Sequence, residues 1–354
     1  MRILAWPAFA NREHQPYNAL LYSRLQQLGA EVVEFSPERL LAEPYDIFHL
    51  HWPDSYVNSR NPAKAARKTL RLLGWLRTAR SRGASIVWTV HNLRSHGRSQ
   101  PLLEPLFWRA FTRQLDGLIY LSASGKQAAE AAFPVVREAA SFIIPHGHYR
   151  DVYPNRISRA QARHKLGIDE NAKVLGFVGR VRAYKNVLHL IRTFHGLMQS
   201  DLVLLIAGQA QTRRLHAKIT TAARADRRVK LALCLIPESD MQTYLNASDL
   251  VVLPYREVLN SGTALLALSF DRRVLVPAQG AMGDLQAYAG EDWVRTYRGQ
   301  LEEATLTDGL AWALSRKPAT LDLADLAWDH IAQQTLRAYQ QLRACRETPP
   351  GRQQ

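Results

Sequence analysis

Short apolar runs alternate with segments of helical periodicity along the whole chain. The runs in the first half are RILAW (2–6), EVVEF (31–35), DIFHLHW (46–52), SIVWTV (85–90), GLIYLS (117–122) and SFIIPH (141–146). Amphipathic segments, such as 62–82 and 102–115, separate them. Near-continuous apolar strands separated by helices are typical of a parallel sheet covered on both faces. The first half therefore predicts a doubly wound α/β domain.

The pattern resumes after a polar stretch, YPNRISRAQARHKLGIDENAK (153–173). The later apolar runs are VLGFVGR, LVLLIAG, VKLALCL, DLVVLPY and RVLVP, and a helical stretch over 323–344 follows them. We predict an N-terminal domain over 1–152 and a second Rossmann-like domain over 170–320, since 354 residues suffice for two cores. Open α/β sheets bind ligands at the carboxyl ends of their strands, so we expect a ligand cleft there.

The net charge of +15 indicates an acidic partner, such as nucleic acid, an anionic membrane surface or a phosphate-rich ligand. Every charged residue between Asp54 and Glu104 is basic. No apolar run approaches the roughly 18 residues that span a bilayer, and the N-terminus lacks a signal-peptide core, so a cytoplasmic location is expected. Two cysteines indicate neither a disulfide framework nor a zinc site.

Part of this basic stretch, residues 62–82, has helical spacing. The hypothesis for this helix is peripheral attachment to an anionic membrane, with leucines 72, 73 and 76 beside the charges and residues 102–113 as a second apolar contact. The alternative is an ordinary helix that buries those leucines in the domain core. The proposed membrane-facing residues are Lys64, Arg67, Lys68, Arg71 and Trp75.

Two segments of the second half have the residue types that bind a diphosphate. In VLGFVGRVRAYKN (174–186), Gly179 ends a strand, and Arg180 and Lys185 follow it. The glycine would let a ligand approach the backbone, and the two cations could neutralise a diphosphate. NSGT (260–263) precedes a helical run and would place hydroxyls at a helix N-terminus. A solvated basic turn and a simple helix cap are the alternatives. The GxGxxG fingerprint is absent after RILAW, which disfavours a nicotinamide or flavin enzyme.

Together, FVGRVRAYK, LVLLIAG, IPESDMQTYLNASDLVVLPY and SGTALLALSFDRRVLVP resemble the nucleotide-binding half of GT-B glycosyltransferases. The resemblance implies two facing Rossmann-like domains, with a C-terminal helix (323–345) that crosses back to the first. Donor-binding candidates are then Gly179, Arg180, Lys185, Ser261, Gly262 and Thr263 at the diphosphate, Ile236 at the base, and Glu257 nearby. Retaining relatives carry two glutamates eight residues apart, where this chain has Leu259 and Ala267, and the resemblance therefore favours an inverting enzyme.

HLHWPD and WTVHNLRSH extend the resemblance to the inverting β-mannosyltransferases of xanthan-type exopolysaccharide assembly, glycosyltransferase family 94. This implies GDP-mannose as donor and a polyprenyl-diphosphate-linked oligosaccharide as acceptor, on the inner face of the cell membrane. A UDP-sugar donor or a retaining enzyme stays open as an alternative. So do an inactive nucleotide-sugar-binding scaffold and a nucleic-acid-binding protein, although aromatics are not interleaved with the basic run as nucleic-acid stacking requires.

An inverting transfer needs a general base at the acceptor hydroxyl and positive charge at the leaving diphosphate. The candidates for the base follow strands of the first half: Asp54 first, then His91, Glu13 and His14. His49 shares a strand face with His51 and is expected to be an interior residue. The histidines have no recognisable ligand spacing and no DxD pair occurs, so no metal and no other cofactor is expected.

Overall fold

The computed structural model describes residues 1–13, 15–94, 100–315 and 320–347. Contacts divide the chain into two units, of which the first contains Met1–Gly147 together with the chain from Ala324 onward, and the second contains His148–Leu323. The sequence placed these limits at residues 152 and 170, so the polar stretch between the domains belongs to the second unit.

The first unit has a six-stranded sheet in which every neighbouring pair is parallel. Its strands are β1 (Arg2–Trp6), β2 (Glu31–Glu34), β3 (Ile47–Leu50), β4 (Ser85–Val90), β5 (Gly117–Tyr120) and β6 (Ala140–Ile143). The order is β2-β1-β3-β4-β5-β6, so the direction of winding reverses between β1 and β3. The helices between the strands are α1 (Pro16–Gln27), α2 (Pro37–Ala42), α3 (Pro62–Ser81), α4 (Leu103–Thr112) and α5 (Ala123–Ala132).

The second unit repeats this design with a second parallel sheet. Its helices are α6 (Arg159–Lys165), α7 (Val187–His195), α8 (Arg213–Ala223), α9 (Met241–Ala247), α10 (Gly262–Ser269), α11 (Met282–Ala289) and α12 (Glu303–Leu314). Its strands are β7 (Lys173–Val178), β8 (Leu202–Ala207), β9 (Val229–Ala232), β10 (Leu250–Val252), β11 (Arg273–Pro277) and β12 (Val294–Tyr297). The order β12-β11-β10-β7-β8-β9 is that of Rossmann folds, and its winding reverses between β7 and β10, where such sheets bind ligands.

The interior strands agree with the prediction because their apolar runs are buried on both faces; β3 and β4, for example, are buried at every residue. The edge strands β2, β6 and β9 were also predicted, although they are more exposed. One strand was missed. β12, with the sequence VRTY, is an edge strand that alternates buried and more exposed residues, so it lacks the continuous apolar run of the others.

The last helix, α13 (Trp328–Glu347), belongs to the first unit, as predicted. Tyr339 on this helix hydrogen-bonds to His49 of β3 at 2.6 Å, and Arg343 lies 3.5 Å from a carboxylate oxygen of Asp46. A Cβ atom on Gly117 would lie 2.7 Å from the side chain of Leu342, so glycine permits this helix to approach β5.

The polar stretch after the first unit packs on the second unit through Arg163 of α6, which is fully buried. Its guanidinium donates to Asp249 at 2.7 Å and to the carbonyl oxygens of Ala247, Glu170 and Ala172. A buried cation with a carboxylate and three carbonyl acceptors is satisfied. These contacts attach α6 to the second sheet. None of the helices within the described residues is both long and apolar enough to cross a membrane.

Candidate active site

Three histidines in the first unit belong to one chain of hydrogen bonds at the ends of β3 and β4. His49 Nε2 lies 2.8 Å from Thr89 Oγ1, and His49 Nδ1 lies 2.9 Å from the hydroxyl of Tyr22. The same hydroxyl lies 2.6 Å from His51 Nε2. His51 Nδ1 in turn lies 3.0 Å from His91 Nε2. The chain therefore extends from the interior of the sheet to His91, which is the less buried end.

Burial keeps these imidazoles neutral. It lowers the pKa of His49 to about 3. It also lowers the pKa values of His51 and His91 well below the ordinary value, and neighbouring histidines lower these two further. A neutral imidazole has one donor and one acceptor, so the segment between His91 and Tyr22 can be oriented in either direction. In one direction His91 Nε2 donates to His51, and Nδ1 is then the acceptor nitrogen of the His91 ring.

Aromatic rings surround the outer end of this chain. Trp52 stacks on His91 with ring centroids 4.5 Å apart, and Tyr17 contacts the edges of both His91 and His146 at 4.9 and 4.8 Å. Trp328, the first residue of α13, packs against Tyr17. The strand ends of the first unit thus present a rigid group of neutral aromatic and imidazole rings.

The other base candidates occupy different environments. Asp54 lies in a 3-10 helix, Pro53–Tyr56, and is 7% exposed. Glu13 is exposed in the turn after β1. His14 lies outside the described residues. The structure places Asp54 and His91 after neighbouring strands, while Glu13 follows β1.

Glu34, which the sequence did not single out, shapes the loop after β1. One of its carboxylate oxygens accepts hydrogen bonds from the backbone N–H groups of Ala8, Phe9 and Ala10, at 3.0, 2.7 and 3.0 Å. Consecutive amides that converge on one anion form a nest. An internal carboxylate therefore occupies the nest after β1 and holds the loop that leads to Glu13.

In the second unit, the two diphosphate-type segments meet at the point where the sheet reverses its winding. Lys185 ends the 3-10 helix Ala183–Lys185, and its ammonium donates to Thr263 Oγ1 at 3.2 Å. Gly179 follows β7 with φ +134, a conformation that favours glycine, and a Cβ atom there would lie 3.1 Å from Thr263 Oγ1. We call Gly179, Lys185, Tyr255, Ser261 and Thr263 the Lys185 cluster.

The ammonium of Lys185 packs against aromatic rings. It lies 5.3 Å from the ring centroid of Tyr255 and 5.8 Å from that of Phe177, within the range of a cation–π contact. Burial lowers the pKa of Lys185, and Arg182 and Arg180 lower it further, whereas Tyr184 raises it. Within the described part of the chain no carboxylate pairs with Lys185, and a buried cation of this kind is available to an incoming anion.

Helix α10 begins beside this lysine. Ser261 caps the helix, since its hydroxyl accepts from the backbone N–H of Ala264 at 3.1 Å, and Gly262 and Thr263 form the first turn. The serine hydroxyl also lies 3.5 Å from the hydroxyl of Tyr255. Tyr255 was not predicted, because an aromatic residue after a buried strand is usually a core residue.

The remaining donor-side candidates are placed as follows. Arg180 is partly exposed, and burial and Arg182 lower its pKa. Ile236 is buried in the loop after β9, and Glu257 is exposed in the loop after β10. The structure brings Gly179, Lys185 and Thr263 into contact.

The basic helix of the first unit is α3, and the expectation for its leucines was wrong. Leu72, Leu73 and Leu76 are buried in the domain, because they share the face that packs on the sheet. Trp75 is partly buried against Phe35 and beneath the guanidinium of Arg71. The apolar exposure instead comes from Leu70, Leu102 and Leu106, which are 70%, 87% and 63% exposed.

The cations of α3 remain on the surface beside these leucines. Lys64, Arg67 and Arg71 are exposed, and Lys68 is partly exposed. Asn61 caps the amino end of the helix, since its side chain accepts a hydrogen bond from the backbone N–H of Lys64. Among the described residues, no group of three or more histidine, cysteine, aspartate or glutamate side chains is arranged to hold a metal ion.

Comparison with known proteins identifies the class to which these features belong. Residues 158–266 match the family described as glycosyl transferases group 1. Sucrose-phosphate synthase from Thermosynechococcus elongatus superposes with a TM-score of 0.69 over 98% of this chain and 100% of that chain, at 17% identity. Anabaena Alr3699/HepE in complex with UDP and glucose has a TM-score of 0.62 over 96% and 95%, at 16% identity. The fold is that of the GT-B glycosyltransferases, and the chain is a glycosyltransferase.

The particular family follows from sequence identity over nearly the whole chain. The chain is 32% identical over 337 residues to GDP-mannose:glycolipid 4-beta-D-mannosyltransferase of Xanthomonas campestris pv. campestris, covering 93% of this chain and 89% of the relative. Alpha-maltose-1-phosphate synthase of Mycolicibacterium smegmatis is 26% identical over about half of each chain. The chain belongs to the family of the Xanthomonas mannosyltransferase. The predictions of fold, of enzyme class and of this family are confirmed.

Proposed function

We propose that the enzyme transfers mannose from GDP-mannose to an oligosaccharide linked to a polyprenyl diphosphate, with inversion at the anomeric carbon, in exopolysaccharide assembly. The observation that carries this proposal is the 32% identity to a GDP-mannose:glycolipid mannosyltransferase over 93% of the chain. The aligned region covers the first unit as well as the second, and the preference for an acceptor would depend on the first unit.

In this proposal the Lys185 cluster holds the donor diphosphate. The Lys185 ammonium and the Arg180 guanidinium supply positive charge, Gly179 leaves room at the backbone, and Ser261 to Thr263 supply hydroxyls and amides at the start of α10. When the anomeric C–O bond breaks, its electron pair passes to the diphosphate oxygen. Preorganised cations and amides stabilise that developing charge without a metal, and no metal is proposed.

The first unit would supply the base. The acceptor hydroxyl attacks the anomeric carbon and loses its proton to a side chain, and the carboxylate that follows β3 can accept it. Asp54 is therefore the proposed general base. His91 is proposed as a group that orients the acceptor, because the hydrogen bond to His51 and the stacking on Trp52 fix its ring.

Inversion is supported by the composition of the loop after β10. No carboxylate occurs between residues 258 and 270, so the glutamate pair of retaining relatives has no counterpart, and Ala267 is fully buried. A direct displacement needs only the acceptor, one base and the leaving diphosphate.

The exposed face of α3 with the neighbouring leucines would attach the enzyme to the anionic membrane that carries its acceptor. Each cation near such a surface contributes on the order of 1 kcal/mol, and Leu102 and Leu106 can enter the interface.

The donor is tested by thermal unfolding with nucleotides, since a ligand that binds the folded state raises the melting temperature. GDP and GDP-mannose are expected to raise it, and UDP and UDP-glucose are not. Stabilisation by the uridine compounds alone would retain the enzyme class and reject the donor. No stabilisation by any of the four would contradict the proposed role of the Lys185 cluster.

A further inference from the structure

A cavity of about 420 Å³ lies in the second unit beside the start of α7. Four cations line it: Arg182 before the 3-10 turn, Arg192 on α7, Lys218 on α8 and Arg256 after β10. Val187 and Leu188 of α7 and Leu215 of α8 supply apolar surface. No carboxylate residue is among the lining residues. The cavity is thus positively charged and partly apolar.

None of these four cations forms an ion pair with a described residue. Arg256 Nε donates to the side-chain carbonyl of Asn186 at 3.1 Å, which is a neutral partner. Like charges around one cavity repel each other, and an anion in the cavity relieves this repulsion. The four positive charges therefore give the cavity a positive potential that favours an anionic ligand.

The backbone adds to the positive potential. Helix α7 begins after Asn186, which has φ 58 and provides no side-chain cap, so the amides of Val187 and Leu188 at the cavity wall have no side-chain acceptor from the capping residue. The amino end of a helix carries a partial positive charge. Two helices and two loops thus converge on the same space with the same sign of charge.

This cavity is separate from the Lys185 cluster. Lys185 points to Thr263 and Tyr255, and none of the residues of that cluster is among the lining residues of the cavity. Arg182 lies near both sites, since it also lowers the pKa of Lys185, whereas Arg192 and Lys218 belong to α7 and α8.

We propose that the cavity is an accessory binding site for a ligand that carries a diphosphate group. A volume of about 420 Å³ lies within the range of small-molecule sites. Guanidinium groups bind phosphate oxygens in bidentate fashion, and the valine and leucine side chains can contact the group to which the diphosphate is attached. The proposal does not depend on the identity of the donor sugar.

The test uses inorganic diphosphate and the full chain. Hydrogen–deuterium exchange is expected to show protection of residues 186–192 and 213–219 when diphosphate is added, and calorimetry gives the dissociation constant. In the double variant Arg192→Ala/Lys218→Ala this protection is lost and binding at this site weakens on the order of a hundredfold, because two charge-assisted hydrogen bonds are removed. Both side chains are exposed, so the fold should tolerate the change.

Arg214→Ala/Arg224→Ala is the matched control, since it removes two exposed cations from α8 and its end without changing the cavity. This control is expected to retain the protection. Lys185→Ala is expected to retain it also, which separates this site from the donor site. Equal loss in the control, or protection that persists in the double variant, would overturn the proposal.

The source of the diphosphate is determined with vesicles. Stronger recruitment by an isoprenoid diphosphate than by phosphatidylglycerol at equal charge, lost in the double variant, would assign the site to a lipid-linked diphosphate. Protection by free diphosphate with no variant-sensitive recruitment would assign it to a soluble phosphorylated ligand. Both results support the site, and the absence of any protection of residues 186–192 by either probe would reject it.

Discussion

Thr263 accepts a hydrogen bond from the ammonium of Lys185 at 3.2 Å, although the two residues are 78 positions apart in the chain. The contact joins the turn after β7 to the start of α10. Replacing Lys185 by Met keeps the aliphatic stem and removes the charge.

Lys185→Met is expected to weaken binding of the nucleoside diphosphate between about tenfold and a hundredfold, since charged hydrogen bonds contribute about 1.5–3 kcal/mol. The melting temperature of the free protein should not fall, because burial already disfavours the charged form. Calorimetric titration and thermal unfolding measure the two effects. Lys173→Met, at the opposite end of β7, is the control and should bind normally. Normal binding by Lys185→Met would contradict the assignment.

Gly208, after β8, is held close to Gly179. It has φ +137, and a Cβ atom there would overlap the carbonyl oxygen of Gly179. Gly208→Ala is expected to destabilise the second unit by roughly 1–3 kcal/mol and to displace the end of β7. Gly74→Ala in α3, where the added methyl group meets no neighbour, should instead stabilise by about 0.5–1 kcal/mol. Urea unfolding gives the change in the free energy of unfolding for each variant. Changes of the same sign in the two variants would contradict the prediction.

The buried histidines make stability depend on pH. His49 has a pKa of about 3 in the folded state and 6.5 as its ordinary value, so the unfolded chain binds more protons below pH 6.5. The free energy of unfolding therefore falls as the pH falls, by about 2 kcal/mol from this residue between about pH 7.5 and pH 5. His49→Gln should reduce the pH dependence by that amount, whatever its effect at neutral pH. An unchanged slope in urea unfolding would contradict the buried neutral state.

Asp54→Asn tests the proposed base. Removing a general base typically lowers kcat by about 10²–10⁴-fold, while binding of the donor is expected to be unchanged. His91→Gln preserves a hydrogen-bonding group and should raise KM for the acceptor more than it lowers kcat. Steady-state kinetics with varied acceptor distinguishes the two variants. A large loss of kcat in His91→Gln with an active Asp54→Asn would reverse the two roles.

Charge reversal on α3 tests the membrane contact. Lys64→Glu/Arg67→Glu should reduce the fraction of protein that sediments with phosphatidylglycerol vesicles. The remaining binding should also depend less on salt, since surface attraction is screened over about 10 Å at 0.1 M salt. The same reversal at Arg214 and Arg224 is the control, and should have little effect. Equal recruitment of both variants and the unchanged protein would contradict the attachment.

Much of the fold and part of the site follow from local sequence. Continuous apolar runs identify eleven of the twelve strands found in the described residues, and β12 was missed because its sequence lacks such a run. The sequence could indicate one common site for Gly179, Lys185 and Thr263, because each belongs to a short motif at the end of a buried strand or the start of a helix.

The rest depends on contacts that no local pattern records. His49 is bonded to Tyr339, 290 positions away, and helical spacing alone gives no sign of that partner. Glu34 resembles any acidic residue at the end of a strand, yet three backbone amides converge on it. The leucines of α3 were assigned to the wrong surface because helical periodicity shows which residues share a face, but not which face meets the sheet.

The most direct test of the proposed reaction is the structure of its product. The purified enzyme is incubated with GDP-mannose and an oligosaccharide linked to an isoprenoid diphosphate, and the new linkage is examined by NMR as GDP release is followed. We predict stoichiometric GDP and a β-linked mannose, which is the inverted configuration. An α-linked mannose would contradict inversion, and hydrolysis or no reaction in the presence of bound GDP-mannose would contradict the proposed transfer.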